Sequence, residues 1–324
     1  PDLTWQTTKK FNVGITSSLF GDRLNINADY YRETTDDMLI DVSLPPSSGA
    51  GTVKNNYGKQ KSYGVEFSVW GRIIQNRDWM WSVTATGLHS KSTILNISDA
   101  LKRKNEENAA VNTETTPRLQ YREGASPTTI WAVRSAGIDP ASGKEIFIKQ
   151  DGSYTYDYDT ADQVACGDKN PKLQGTISSM LTYKNLSLNI NFSYRFGGNL
   201  YNDTRMAKVE SIDPQKNVDE RAFTDRWKQP GDVSPYLAIK YNAESTSQSY
   251  FYTDRFVEKD NELLLSSVTL QYNVPQKVVN NLGLQRLYVS AGAEDLFRLT
   301  SAKYERGTTY PFSRSVNLSL SLTL

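Results

Sequence analysis

The chain of 324 residues carries 37 Lys and Arg against 36 Asp and Glu, and this near-zero net charge excludes the strong basic field of a nucleic-acid-binding protein. Its mean hydropathy is −0.57, and the absence of any run of about 18 apolar residues excludes a membrane-spanning helix. A single cysteine, Cys166, and a single histidine, His89, exclude an internal disulfide and a histidine-based metal site, so we expect neither a metal nor a cofactor.

Seven segments alternate apolar and polar residues, and residues 11–19 and 173–183 do so less cleanly, with Gly and Ser at several outward positions. This alternation predicts nine β-strands, because successive side chains on a strand point to opposite faces. In chain order the predicted strands cover residues 11–19, 24–31, 63–71, 81–87, 173–183, 186–196, 268–274, 287–293 and 316–324. No segment shows a helical period of comparable strength. The sequence therefore predicts an all-β, antiparallel fold.

Two predicted strands, residues 186–196 and 316–324, show the alternation most clearly. Their apolar positions include Leu186, Leu188, Ile190, Phe192, Val316, Leu318, Leu320 and Leu322. The polar positions in and beside them include Asn189, Asn191, Ser193, Arg195, Ser315, Asn317 and Ser319. Such strands are typical of a soluble sandwich, whose apolar face packs on a second sheet, or of an outer-membrane barrel, whose apolar face meets lipid.

The connections between the predicted strands alternate between short and long. The short-turn side has residues 20–23, 75–78, 184–185 and 275–286, and the long connections are roughly 33–60, 90–172, 198–262 and 301–312. This asymmetry favours a barrel with periplasmic turns and long extracellular loops. Aromatic residues near the strand ends are candidates for the girdles of such a barrel: Tyr30, Tyr63, Trp79, Trp81, Tyr183, Tyr194 and Tyr272.

Nine strands do not complete a bacterial barrel. Single-chain barrels have even strand numbers, and an open sheet in lipid leaves backbone groups unpaired at both edges. We therefore expect residues 1–324 to form the C-terminal portion of a larger transmembrane β-barrel domain. A soluble all-β binding module with aromatic-rich ligand loops is the alternative.

Short motifs along the whole chain carry a family resemblance. They include Pro1-Asp2-Leu3-Thr4-Trp5, Phe20-Gly21-Asp22-Arg23-Leu24, Asn56-Tyr57-Gly58, Gly64-Val65-Glu66, Ala136-Gly137-Ile138-Asp139-Pro140, Asp225-Arg226-Trp227, Pro230-Gly231-Asp232 and Leu270-Gln271-Tyr272-Asn273-Val274-Pro275. In this order they resemble the SusC/RagA-type TonB-dependent transporters of Bacteroidota. The chain departs from the family pattern at Glu294-Asp295-Leu296, where an Asn-Leu pair is common, and at Leu324, where phenylalanine is usual.

The resemblance implies a barrel of roughly 22 strands with an internal plug. This chain would supply about the last nine strands, and the plug, the TonB-contacting region and the first strands would lie upstream of Pro1. The implied function is import of large nutrients, with oligosaccharides as the expected solute and peptides as the alternative. A SusD-like lipoprotein would cover the barrel in the outer membrane of a Gram-negative bacterium, expected to belong to Bacteroidota. A passive porin without a plug is a further alternative.

Catalysis finds no support in the sequence, because His89 lies at a strand end without the spacing of a catalytic triad, so we expect no enzyme activity. Aromatic residues of the long loops are candidates for contact with solute or lipoprotein, since rings offer stacking surfaces. They are Trp131, Tyr154, Tyr156, Tyr158, Trp227 and Tyr236. The polar positions of the two strands described above are expected to line the lumen, and the apolar positions to face lipid.

Overall fold

The computed structural model describes residues 3–43, 52–110, 116–212, 217–239, 250–302 and 313–323. Nine strands of this part form one antiparallel sheet in which each strand pairs with the next. They are β1 (Thr7–Leu19), β2 (Leu24–Asp36), β5 (Gly58–Gln75), β6 (Trp79–Ile97), β11 (Leu173–Tyr183), β12 (Leu186–Tyr201), β13 (Val257–Asn273), β14 (Arg286–Thr300) and β15 (Ser315–Thr323). The sheet is open, with β1 and β15 at its edges. The prediction of antiparallel strands at these nine places is confirmed.

The strands extend further toward the long connections than their apolar alternation indicates. The ladder between β5 and β6 continues to the pair Gly58 and Ile97, although residues 58–62 of β5 include no apolar side chain larger than hydrogen. Backbone pairing needs no apolar face, so it continues where the hydrophobic pattern has stopped. The predicted long connections therefore shorten to residues 37–57, 98–172 and 202–256. Most of the predicted loop 301–312, and Leu324, lie outside the described residues.

The long connections contain structure of their own. The first holds a hairpin of β3 (Leu39–Ser43) and β4 (Thr52–Asn56). The second holds α1 (Asp99–Ala110) and a four-stranded sheet in the order β10-β7-β8-β9, formed by β7 (Thr129–Ile138), β8 (Glu145–Ile148), β9 (Tyr154–Thr155) and β10 (Gln163–Asp168). The third holds α2 (Asp203–Arg205), a π-helical turn at Met206–Glu210 and α3 (Arg221–Thr224). On the opposite side, α4 (Gln276–Asn281) follows Pro275 between β13 and β14.

The helix α1 was missing from the strand-based prediction. Its sequence is rich in charged and polar residues, and Leu101 is buried with only 1% of its surface exposed. A helix without a continuous apolar stripe gives no periodic signal. None of the helices in the described ranges has the length and apolar content needed to cross a membrane.

The strand register places an apolar row on one face of the sheet, close to the short turns. Six side chains from neighbouring strands lie side by side in this row: Trp79, Tyr183, Leu186, Tyr272, Val289 and Leu320. Each of them keeps 36% or more of its surface exposed. The next row on the same face is Trp81, Leu181, Leu188, Leu270, Ala291 and Leu318. We call the side that carries these rows the apolar face.

The opposite side of the sheet is its polar face, defined by rows such as Thr84, Ser178, Asn191, Ser267, Glu294 and Ser315. Hydrogen bonds cross the strands on this face. The Ser178 hydroxyl donates to the Asn191 side-chain oxygen at 2.6 Å, and the Asn191 amide nitrogen donates to the Ser267 hydroxyl at 2.9 Å. Polar side chains on this face therefore satisfy one another as well as meeting solvent.

Candidate functional site

A concavity of about 650 Å³ lies on the polar face and spans neighbouring strands from β2 to β13. The polar side chains among its lining residues are Asn27, Asp29, Glu66, Ser68, Thr86, Gln174, Thr176, Ser193, Arg195 and Glu262. Hydroxyls, amides and carboxylates predominate in this wall, and such groups exchange hydrogen bonds readily with a hydrated solute or with another polar protein surface.

An ionic network closes one end of this concavity. The Arg195 guanidinium lies 3.0 Å from the Asp260 carboxylate and 3.4 Å from the Glu262 carboxylate. Glu262 also accepts a hydrogen bond from Nε of Arg298 at 2.5 Å. Both carboxylates are buried. The network joins β12, β13 and β14, and its paired charges hold Arg195 in a defined position.

The predicted lumen-lining residues share the polar face by strand register. Ser193 and Arg195 lie in the concavity, Asn191 bridges two serines, and Asn189 belongs to the row of Asn317. Ser315 and Ser319 lie on β15 on the same side. The eight predicted lipid-facing residues alternate with them and share the apolar face. Which face meets lipid is taken up under the proposed function.

The second and third long connections pack on a common hydrophobic core. Its buried members come from β7, the end of β12, the π-helical turn, the loop after it and the segment just before β13: Ala132, Tyr201, Met206, Val209, Tyr236, Tyr252 and Phe256. Segments distant in the sequence thus form one packed unit above the sheet, which we call the loop cluster. Burial of this apolar surface stabilises loops that would otherwise be independent.

Buried charges join the same segments. The Arg255 guanidinium donates to the two Glu145 oxygens at 2.6 and 2.8 Å and to the Glu210 carboxylate at 2.7 Å. The Thr253 hydroxyl also donates to Glu145, at 2.8 Å. Burial raises the pKa of the fully buried Glu210, although Arg255 opposes that shift. Burial alone would lower the pKa of Arg255, but Glu145 and Glu210 raise it, so the guanidinium stays charged.

Arg226, in the family-like motif Asp225-Arg226-Trp227, is a structural anchor. Its guanidinium donates to the carbonyl oxygens of Leu237 at 2.7 Å, Val209 at 2.7 Å and Glu210 at 3.0 Å. Only 4% of its surface is exposed. The planar five-donor guanidinium suits this convergence of carbonyl groups.

Two of the six candidate contact aromatics are buried. Trp131 is 8% exposed, and the Arg122 guanidinium lies 4.0 Å from the centre of its ring. Tyr236 is 7% exposed and belongs to the core of the loop cluster. Their environment follows from the second sheet and the shared core, which composition alone does not indicate.

Two further candidates are half-buried. Tyr158 stacks on Phe251 with ring centres 4.3 Å apart, and burial raises the pKa of its phenol. The Trp227 indole donates to the Pro140 carbonyl at 2.8 Å and covers Gly143. A Cβ at Gly143 would lie 2.5 Å from the indole, and this residue has a φ of +68°, so glycine is required there.

Tyr154 and Tyr156 are the exposed members of the predicted set, with 71% and 52% of their surfaces accessible. The Tyr156 hydroxyl donates to the Asp139 carboxylate at 3.0 Å, and the Lys144 ammonium lies 5.6 Å from its ring centre. Asp139 also accepts hydrogen bonds from the Ala141 backbone and the Ser142 hydroxyl. The β7–β8 turn thereby orients one of two outward-facing tyrosines.

The sequence-based candidates did not include Glu145, Glu210 or Arg255. These residues occur in separate connections without a motif or spacing that relates them. Their partnership depends on the packing of the loop cluster. Across the described ranges, no group of three or more His, Cys, Asp or Glu residues is arranged to hold a metal ion.

A sheet with an exposed apolar face and a polar, hollowed opposite face has the construction of a transmembrane β-barrel wall. A family model described as "TonB dependent receptor-like, beta-barrel" matches residues 1–204. This match covers more than half of the chain, and the chain therefore belongs to the TonB-dependent receptor-like β-barrel family.

Similar proteins are known from Bacteroidota. TonB-dependent receptor P3 of Formosa agariphila is 27% identical over 308 residues, which cover 89% of this chain and 29% of that protein. TonB-dependent receptor SusC of Bacteroides thetaiotaomicron is 25% identical over 281 residues, covering 84% of this chain and 26% of that protein. The chain thus spans less than a third of the length of these relatives.

Solved structures show the same fold. The RagAB peptide importer in its "open-open" state superposes with a TM-score of 0.78 at 24% identity, covering 100% of this chain and 35% of that chain. The "closed-closed" state gives a TM-score of 0.73 at 26% identity, covering 94% and 33%.

Proposed function

We propose that this chain is the C-terminal wall and loop region of a TonB-dependent outer-membrane importer for large nutrients. The observation that carries the proposal is the apolar face, whose rows run unbroken across six neighbouring strands. The row nearest the short turns is exposed throughout, and the next row is exposed or half-buried. A soluble sandwich would cover such a face with a second sheet, whereas the outside of a barrel presents it to lipid. The polar face then lines the lumen.

The proposed orientation places short turns in the periplasm and the loop cluster outside the cell. The nine strands would be the last of a barrel of roughly 22, the strand number of plugged outer-membrane transporters. The free edges of β1 and β15 would pair with strands of the remaining barrel, since lipid does not satisfy open backbone groups. Membership of the TonB-dependent receptor family supports energy coupling through the TonB complex.

A SusD-like lipoprotein is the proposed extracellular partner, in keeping with the similarity to SusC and to RagAB. The loop cluster offers a firm surface for it, because buried charges and a common core fix the loops. Tyr154 and Tyr156 are exposed on this cluster and are proposed to contact the lipoprotein or the solute. Oligosaccharides are the first solute class proposed and peptides the second, as both stack on aromatic rings.

Spin labelling tests which face meets lipid. In the full-length protein with Cys166 replaced by Ser, four variants each carry one new cysteine, in place of Leu188, Leu318, Asn189 or Asn317. Each cysteine is labelled with a nitroxide, and the protein is reconstituted into vesicles. Labels at the two leucine positions should be relaxed by oxygen, which concentrates in lipid. Labels at the two asparagine positions should respond to a water-soluble nickel chelate. The same response at all four positions would contradict a lipid-facing wall.

Uptake tests the transport assignment. A strain that lacks the full-length protein should lose growth on its nutrient, and loss of TonB coupling should have the same effect. A porin would keep working without TonB coupling, and a soluble binding module would show no heat-modifiable migration after detergent extraction. Each alternative therefore predicts a different result.

A further inference from the structure

The apolar row nearest the short turns contains a compact aromatic pair. Trp79 on β6 is the register partner of Tyr183 on β11, and their ring centres are 4.3 Å apart. Both side chains are well exposed. Tyr272 lies two strands further along the same row. Aromatic rings at the end of an apolar face suit the boundary between acyl chains and lipid headgroups.

A cation lies over the Tyr183 ring of this pair. Lys184 occupies the turn between β11 and β12 with a φ of +52°, and its ammonium is 5.2 Å from the centre of the Tyr183 ring. The Lys184 backbone nitrogen donates to the carbonyl of Asp78 at 2.7 Å, which joins this turn to the one between β5 and β6. Contact with Tyr183 and the nearby Asp78 raise the pKa of Lys184, so it stays charged at neutral pH.

The joined turns have an excess of positive charge. Residues 76–78 and 184–185 include two cations, Arg77 and Lys184, and one carboxylate, Asp78. Arg77 is exposed. An apolar, aromatic surface with cations at its end is complementary to a phospholipid. The lipid phosphate would contact the cations, and the acyl chains would cover the aromatic rings.

We propose that Trp79, Tyr183, Lys184 and Arg77 form a binding site for an anionic phospholipid of the periplasmic leaflet. The site rests on the proposed function, since it requires that the apolar face meet lipid. Two arguments favour a lipid as the occupant. The rings continue the apolar rows of β6 and β11 without interruption, and the charges at their end are complementary to a phosphate.

Lipid binding to the full-length protein tests the site. The purified protein is delipidated, mixed with phosphatidylglycerol or phosphatidylcholine and examined by native mass spectrometry. The double variant Lys184→Gln/Arg77→Gln should bind phosphatidylglycerol about 25-fold more weakly, because removing each cation near an anionic lipid should weaken binding about fivefold. Binding of phosphatidylcholine should change little. The matched control Lys149→Gln/Lys228→Gln removes two exposed lysines from the long loops and should have no effect.

Tryptophan quenching separates failure of this site from failure of the proposed function. In vesicles of brominated lipid, the fluorescence of Trp81 should be quenched in the parent protein. The contribution of Trp81 is identified by comparison with Trp81→Phe, in which this quenching should be lost. If Trp81 is quenched but Lys184→Gln/Arg77→Gln and its control bind phosphatidylglycerol equally well, the lipid site alone would be overturned. Absence of quenching would overturn the lipid-facing assignment and the site with it. Heat-modifiable migration verifies that each variant is folded.

Discussion

Arg255 and Glu145 form a bidentate ion pair across 110 residues of sequence, with hydrogen bonds of 2.6 and 2.8 Å. Glu145 begins β8 in the second long connection, and Arg255 precedes β13 at the end of the third. Glu210 binds the same guanidinium from the π-helical turn. The pair therefore connects the two largest connections of the chain at a single buried point.

Removal of Arg255 should loosen the loop cluster. Arg255→Ala would remove the cation of the buried Glu145 and leave the buried Glu210 with the more distant Arg226, 3.9 Å away. We expect this to cost about 3–5 kcal/mol in the stability of the cluster. Limited proteolysis of the full-length protein should show faster cleavage within residues 202–256. Lys149→Ala, at an exposed lysine, is the control and should keep the parent cleavage rate. Unchanged cleavage in Arg255→Ala would show that the ion pair does not hold the loops.

The two faces of β12 should respond differently to a charge. Leu188→Arg places a cation on the proposed lipid face and is expected to cost about 2–4 kcal/mol near the bilayer midplane. Asn189→Arg, at the adjacent position, places the same side chain in the proposed aqueous lumen and should be tolerated. Folded yield by heat-modifiable migration and unfolding in urea would measure the difference. Equal destabilisation would favour a dry core on both sides.

The loop cluster should weaken at alkaline pH through Tyr158. Burial raises the pKa of this phenol in the folded protein above its unfolded value of about 10. The neutral phenol therefore contributes fully to the stability of the loop cluster below that pH, and the contribution decreases as the pH rises above it. Protease cleavage of the long loops should accelerate in this range. Tyr158→Phe keeps the ring on Phe251 and should shift the acceleration to higher pH. An identical pH profile in both proteins would exclude Tyr158 as the titrating group.

The exposed tyrosines should matter for uptake more than for folding. Tyr154→Ala/Tyr156→Ala removes two rings that make few buried contacts, so stability should change by less than about 1 kcal/mol. Growth on the transported nutrient, or recovery of the lipoprotein with the barrel, should decrease. Lys149→Ala/Lys228→Ala is a surface control in the long connections. Normal growth and normal lipoprotein recovery in the folded double variant would assign both tyrosines a purely structural role.

The sequence alone determined the nine strands, their antiparallel order, the short and long connections and the two faces of β12 and β15. These features follow from a period of two residues, which is local and repeats along each strand. The ends of the strands were less well predicted, because backbone ladders continue into polar residues that carry no alternation.

Only the tertiary structure decided the environment of the loop residues. Trp131 and Tyr236 are buried while Tyr154 and Tyr156 are exposed, yet all four are aromatic residues in long connections. The partnership of Glu145, Glu210 and Arg255 likewise depends on contacts between segments far apart in the chain. Burial and ion pairing of this kind arise from long-range packing, and no local periodicity encodes which distant residues will meet.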